Sequence, residues 1–185
     1  RAAKKDGHAP LRMIRVMGRD IALHYSGRGH SLSPAAFHRQ ALAFGQALNH
    51  DLAALRVGIV GCGGTGSATA MLLARLGVAH AIAEMGLGVR VVPMEAWAGD
   101  ERCRDALRSC DIVFGCTDDN EGRLILNRLA YYYLIPVIDM GLAIDIGDGD
   151  MPKVKAFDGR VTVLQPHATC LLCRNVISTE HARAE

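Results

Sequence analysis

The 185-residue chain predicts an α/β fold: a mostly parallel sheet, an antiparallel C-terminal hairpin and an N-terminal helical segment. Three observations predict it. Arg56 to Val60 is an apolar β-type run that breaks into the glycine-rich turn Gly61-Cys62-Gly63-Gly64-Thr65-Gly66 and opens directly into helical sequence to Leu76. From Asp100 onward, helical and buried-strand patterns alternate, as right-handed strand-helix-strand crossovers require. Near the end, Lys153 to Phe157 and Arg160 to Leu164 alternate in polarity around Asp158-Gly159, the strongest short hairpin signal.

Taken in order, residues 1 to 33 mix basic and polar positions with one apolar stretch, Ile21-Ala22-Leu23, and read as an extension or the remnant of a preceding domain. Ser33-Pro34 is an N-cap followed by a first-turn proline, so residues 35 to 55 read as a helix, with Phe37, Leu42, Phe44, Leu48 and Leu52 available to an apolar face. Strand one covers 57 to 60, and its helix runs from Gly66 to Leu76 with Gly77 as C-cap. Residues 78 to 86 then read as helix where a strand should return, and a strand at 89 to 92 follows directly. Two helical pieces abut, so residues are expected to be missing near 78 to 81. A polar helix (100 to 109), a buried strand (111 to 116), a helix (121 to 134) and a strand (136 to 139) complete a Rossmann-like order. One domain would thus span 34 to 185, with further residues expected after about 178.

Bulk properties exclude several classes. Twenty-one Lys and Arg against nineteen Asp and Glu leave a net charge of +2, with no basic cluster to follow a phosphate backbone, so nucleic acid is excluded as partner. No apolar run has the length of a membrane span and the N-terminus has no apolar signal core, which predicts a cytoplasmic protein without a membrane partner. The cysteines at 62, 103, 110 and 116 sit in apolar elements and suit reduced thiols better than a disulfide scaffold.

Three groups of residues carry chemistry. Gly61, Gly63 and Gly66 satisfy G-x-G-x-x-G: a tight turn, a close backbone approach to phosphate, and close packing of helix on strand. Asp118 stands where a buried strand ends, at the carboxyl edge where open α/β sheets bind ligands, and a carboxylate there can hold magnesium against phosphate oxygens. The competing reading of Asp118-Asp119-Asn120 is a cap on the next helix. Cys170-x-x-Cys173 has the spacing of half a zinc knuckle, and tetrahedral zinc needs two more ligands. His181 is a candidate for one of them, and inert buried thiols are the alternative.

In their order and spacing, these stretches resemble the ThiF/MoeB/HesA-type adenylyltransferases, the family of the ubiquitin-activating enzymes and of the bacterial sulfur-carrier activators. Phe37-His38-Arg39-Gln40 resembles the family's aromatic-x-Arg-Gln element, and Val57 to Gly66 its doubled-glycine loop. Cys116-Thr117-Asp118-Asp119-Asn120-Glu121-Gly122-Arg123 with Asn127 and Pro136 is similar to its C-T-D-N-x-x-x-R-x-x-x-N segment. Gly159 to Val163 followed by Cys170 and Cys173 resembles its crossover hairpin and first zinc pair. The resemblance implies an adenylation domain over 34 to 185, with ATP cradled by Gly61, Gly63, Gly64, Thr65 and Gly66, magnesium on Asp118, and structural zinc on Cys170 and Cys173. It also implies Arg39 acting across a homodimer as an arginine finger, and adenylation of the C-terminal carboxylate of a ubiquitin-like or sulfur-carrier protein, with release of pyrophosphate. Arg123 and Asn127, one turn apart, either orient Asp118 or cap and pack. Two of the family's elements, an acidic end of strand two and a phosphate-binding Arg and Lys, are absent where residues are expected to be missing. The alternatives are an NAD-dependent oxidoreductase, for which Glu84 stands about twenty residues past the glycines but in a helical stretch, and a non-catalytic scaffold subunit.

Overall fold

The computed structural model describes residues 11–18, 21–26, 37–78, 92–147 and 153–183. It is a mixed α/β structure. Strands β3 (Val57–Val60), β4 (Ile112–Gly115), β5 (Val137–Ile146) and β6 (Val154–Leu164) form a sheet in that spatial order. β3, β4 and β5 run parallel and β6 returns antiparallel to β5, which is the Rossmann-like class predicted. The parallel part ends level at Val60, Gly115 and Asp139, so the segments after those residues share one edge of the sheet.

Helix α3 (Gly64–Arg75) follows β3, α4 (Glu101–Arg108) precedes β4, and α5 (Asn120–Tyr132) links β4 to β5. The core lies beneath α5: Leu126, Leu129 and Ala130 pack on Val113, Val137 and Leu164, with Leu107, Ile135, Leu171 and Ile177 closing it. Burial of the Leu, Ile and Val side chains contributes on the order of 1.5–3 kcal/mol each, which makes this layer the main source of stability.

Three sequence expectations are corrected. The single helix at 35 to 55 is two, α1 (His38–Phe44) and α2 (Gln46–Ala54), because Gly45 between them takes φ of +85°, a conformation open to glycine but not to a helix interior. Asp158-Gly159 is not a turn. Residues 154 to 164 form one strand in which Asp158 faces Ala143 and Gly159 faces Leu142, because the longer β5 offers a partner for all of it. The two strands stay paired to their far ends, where the Gly147 N–H donates to the Lys153 carbonyl at 2.9 Å. The strand expected at 136 to 139 accordingly runs on to Ile146. The expected strand at 89 to 92 and the Ser33-Pro34 cap lie outside the described residues, apart from Val92, which is not in a strand.

The β5–β6 ribbon is sharply two-faced, since residues paired across strands share a side. Met140, Leu142, Ile144 and Ile146 lie opposite Val161, Gly159, Phe157 and Val154, and this apolar face is largely exposed. Asp139, Gly141, Arg160 and Thr162 occupy the other face, with Arg123 of α5 reaching over Gly141 and paired with Asp139.

Part of the N-terminal region is tied to this body. β1 (Met13–Met17) and β2 (Ile21–Tyr25) form a hairpin docked at the amino-terminal edge of the sheet. The fully buried carboxylate of Asp111 accepts from both terminal nitrogens of Arg12, from the Tyr25 hydroxyl at 3.3 Å and from the Arg56 N–H at 2.9 Å. Arg15 donates to the carbonyls of Leu134 at 2.8 Å and Cys110 at 3.1 Å.

A buried carboxylate that loses its cation retains its desolvation cost. Arg12→Ala is therefore expected to lower stability by about 2–3 kcal/mol, read by urea unfolding. Burial, then the charge of Asp111, pushes the Tyr25 hydroxyl from 10.0 to about 12, and burial pushes the Cys110 thiol from 9.0 to about 11. Both folded values lie above the unfolded ones, so the stability they add is whole below pH 9.0 and is lost as pH rises through about 12. Tyr25→Phe is expected to flatten the part of that loss above pH 10.0, measured as unfolding midpoint against pH.

Candidate functional site

The carboxyl edge of the parallel strands is built around a backbone contact. Gly61, at φ of +85°, lies against the main chain of Cys116 and Thr117, where a Cβ would stand 2.9 Å from the Cys116 carbonyl. A Cβ on Gly66 would meet the Gly61 carbonyl oxygen at 1.9 Å. These two glycines press the turn onto the end of β4, and the Cys116 N–H closes the junction on the Val60 carbonyl at 2.8 Å. Gly63 and Gly64 behave differently, since a Cβ on either would touch nothing within 4 Å.

Among the described residues, nothing stands over the start of α3. That helix is 12 residues long and has no side-chain cap on its N-cap Gly63, so its first N–H groups point at the opening. Such an end carries about half a positive charge and is suited to phosphate. The turn thus has the chemistry an anion such as phosphate needs, with Gly61 and Gly66 packed against backbone and the helix start at Gly64 left open.

Asp118 lies in the segment after β4, two residues beyond Cys116, and is exposed. It does not cap α5. Asp119 does, accepting from the Gly122 N–H and from the Thr117 hydroxyl. The capping reading of this acidic run therefore belongs to Asp119, and Asp118 is left exposed in the segment that follows β4. An exposed carboxylate beside a phosphate cradle fits a hard divalent cation such as magnesium.

Arg123 and Asn127, one turn apart on α5, also do different things. Arg123 donates from Nη1 to the main-chain carbonyl of Asp118 at 3.2 Å. Asn127 accepts from the Leu171 N–H at 3.0 Å and braces the C-terminal segment against α5. Asp139 on β5, fully buried at the last residue paired in parallel with β4, is not singled out by the sequence. It pairs with Arg160 at 2.7 Å.

Arg39 is not brought to the edge within one chain. Gln40 donates to the Leu76 carbonyl at 3.0 Å and Phe37 packs on Gly77, which sets α1 at the far end of α3. The 12 residues of α3 put about 18 Å between that end and the glycine turn, beyond the reach of an arginine side chain. Arg39 itself is exposed.

Cys170 and Cys173 have their sulfurs 3.2 Å apart. The Cys173 N–H donates to the Cys170 sulfur at 3.3 Å and holds the Cys170 thiol below its ordinary value, while the shared hydrogen bond raises that of Cys173. Lowering one thiol of a close pair is the electrostatics that a soft cation needs. Among the described residues, no group of three or more His, Cys, Asp or Glu is placed to hold a metal, so His181 does not complete this pair. A groove of about 810 Å³ runs beside it between α5 and the C-terminal segment, lined by Trp97, Leu124, Arg128, Tyr132 and Thr179. Burial pushes the Cys116 thiol up.

The family model of the ThiF family matches residues 37–82 and 78–185. The chain belongs to the ThiF family. No curated protein matches it. No described helix is long and apolar enough to cross a membrane.

The two kinds of glycine in the ThiF loop separate by substitution. Gly66→Ala is expected to destabilise the chain by at least about 1–3 kcal/mol, because the clash is with backbone that cannot turn away. Gly64→Ala is expected to leave the thermal midpoint unchanged or slightly raised, since the position is helical and open. Thermal unfolding of both variants checks the pair.

Proposed function

We propose that this chain adenylates the C-terminal carboxylate of a small ubiquitin-like or sulfur-carrier protein at the expense of ATP. One observation carries the reading: an uncapped helix start with open space above Gly63 and Gly64, on the same sheet edge as an Asp118 carboxylate released from capping by Asp119. Membership of the ThiF family, whose members are typically such activators, supports it.

In this reading, the triphosphate lies on the N–H groups of Gly64, Thr65 and Gly66. Magnesium on Asp118 supplies charge neutralisation for the phosphate oxygens. The carrier's carboxylate oxygen attacks the α-phosphorus, the bond to the bridging oxygen breaks, and the electron pair leaves with pyrophosphate, giving an acyl adenylate. The chain's part is alignment and charge stabilisation, which is where catalysis of such transfers resides. The exposed apolar face of β5–β6 continues from the same edge and supports a protein as the second substrate, since an apolar face of that extent is unusual on an isolated surface. Arg39, too distant in its own chain, acts on the nucleotide of a second copy, so the working form is a homodimer. Cys170 and Cys173 supply two thiols of the four ligands that a structural zinc takes, and a cytoplasmic setting keeps the pair reduced. The family match falls in two parts that meet at 78–82, which supports the absence of a segment there. Glu84, on which an NAD-dependent reading depends, lies outside the described residues.

The test is nucleotide binding followed by exchange of labelled pyrophosphate into ATP with candidate carrier proteins. ATP with magnesium is expected to bind and NAD not to. Asp118→Asn is expected to lower exchange by at least about 100-fold with the fold intact, a loss of the size seen when a charge-stabilising group is removed. Binding of NAD in preference to ATP sinks the reading. ATP binding without exchange for any carrier points instead to a scaffold subunit.

A further inference from the structure

Behind the Asp118 loop lies a polar cluster to which the proposed adenylation gives no part. Asp139 is fully buried, level with Gly115 on β4 and opposite Thr162 on β6. Its Oδ2 accepts from Arg160 at 2.7 Å. Its Oδ1 lies 3.7 Å from Nε of Arg123, too far for a hydrogen bond, and among the described residues neither buried atom has a hydrogen-bond partner. Both guanidiniums crowd over Gly141, where a Cβ would come within 3.0 Å of Arg160 and 3.3 Å of Arg123. One buried carboxylate thus serves two cations, one from the ribbon and one from α5.

The Arg123 fork is divided. One arm holds the Asp118 carbonyl at 3.2 Å, and its Nε faces Asp139 across the unclosed gap. A pair serving only to staple α5 to the sheet has reason to close that gap, because unmade bonds to buried charges are costly. An arginine held between two anchors transmits the position of one to the other, and guanidinium is suited to this because its donors are set in a rigid plane. We propose that Asp139, backed by Arg160, is the positioning residue of the Asp118 loop, holding Arg123 so that the root of the β5–β6 ribbon sets where the Asp118 carboxylate stands. Asp118's role as metal ligand rests on the function proposed above; the mechanical tie does not.

Removing the partner of a metal-ligating group costs on the order of 10–100-fold in metal affinity. The experiment compares wild type, Asp139→Asn and Arg160→Gln in two measurements. In hydrogen exchange without nucleotide, amides of residues 117–120 are expected to exchange several-fold faster in both variants, while β3 and α3 keep their wild-type rates. In titrations of a fluorescent ATP analogue, the magnesium concentration for half-maximal binding is expected to rise roughly 10-fold in Asp139→Asn, with metal-free binding unchanged.

Wild-type exchange at 117–120 in the folded variants overturns the proposal, as does exchange that speeds up evenly through the core, which is what a staple predicts. An unmoved magnesium midpoint also overturns it. If Asp139→Asn fails to fold, Arg160→Gln, at a half-exposed position, decides alone. If wild type binds no ATP, the adenylation reading falls, and the exchange measurement still decides the positioning role.

Discussion

The approach of the Gly61–Gly66 turn to the end of β4 is the contact on which the rest of the candidate site depends. It is backbone against backbone: a side chain on Gly66 would overlap the Gly61 carbonyl, and one on Gly61 would overlap Cys116 and Thr117. Because no flexible group lies between them, the start of α3 and the segment leading to Asp118 are held at van der Waals distance rather than at the distance of some intervening residue. That closeness turns two separate sheet ends into one edge. It also explains why the glycines are unequal, since the two at the ends of the turn make the contact and the two between them leave the space.

Helix α5 ties the other parts of the site together. Its N-cap is Asp119, its first turn carries Arg123 to the Asp118 carbonyl, its second carries Asn127 to Leu171, and its apolar side forms the core. One element thus joins the acidic loop, the cysteine-bearing segment and the main hydrophobic layer. The loop need not be rigid in itself, because a cap worth about 1 kcal/mol and a charged hydrogen bond attach it to a buried helix. The opposite edge of the sheet uses the same device, with the buried Asp111 gathering Arg12, Tyr25 and Arg56.

Much of the fold was legible in sequence because its signals are local. The strand-glycine-helix run and the buried strand before Asp118 stand where they were expected, as does the parallel order, and family membership agrees with the resemblance carried by those stretches. The misreadings share a cause. Asp158-Gly159 is a good turn and 35 to 55 is a good helix by local preference, yet a ten-residue β5 available for pairing straightens the first, and a glycine at positive φ divides the second. Local preference is worth tenths of a kcal/mol per residue and yields to pairing and packing worth several.

The sequence by itself determined that a glycine turn comes between strand one and its helix and that an acidic pair comes after a later buried strand, because glycine spacing and strand burial are written in adjacent residues. Only the tertiary structure decided which acid caps and which is left outward, that Asn127 braces while Arg123 grips, and that Asp139 and Arg160 stand behind them. It also decided that α1, with Arg39, sits at the end of α3 away from the glycine turn. The physical reason is that these are relations between side chains from different strands and helices. Their geometry is set by sheet register and helix packing, which no single stretch of residues contains.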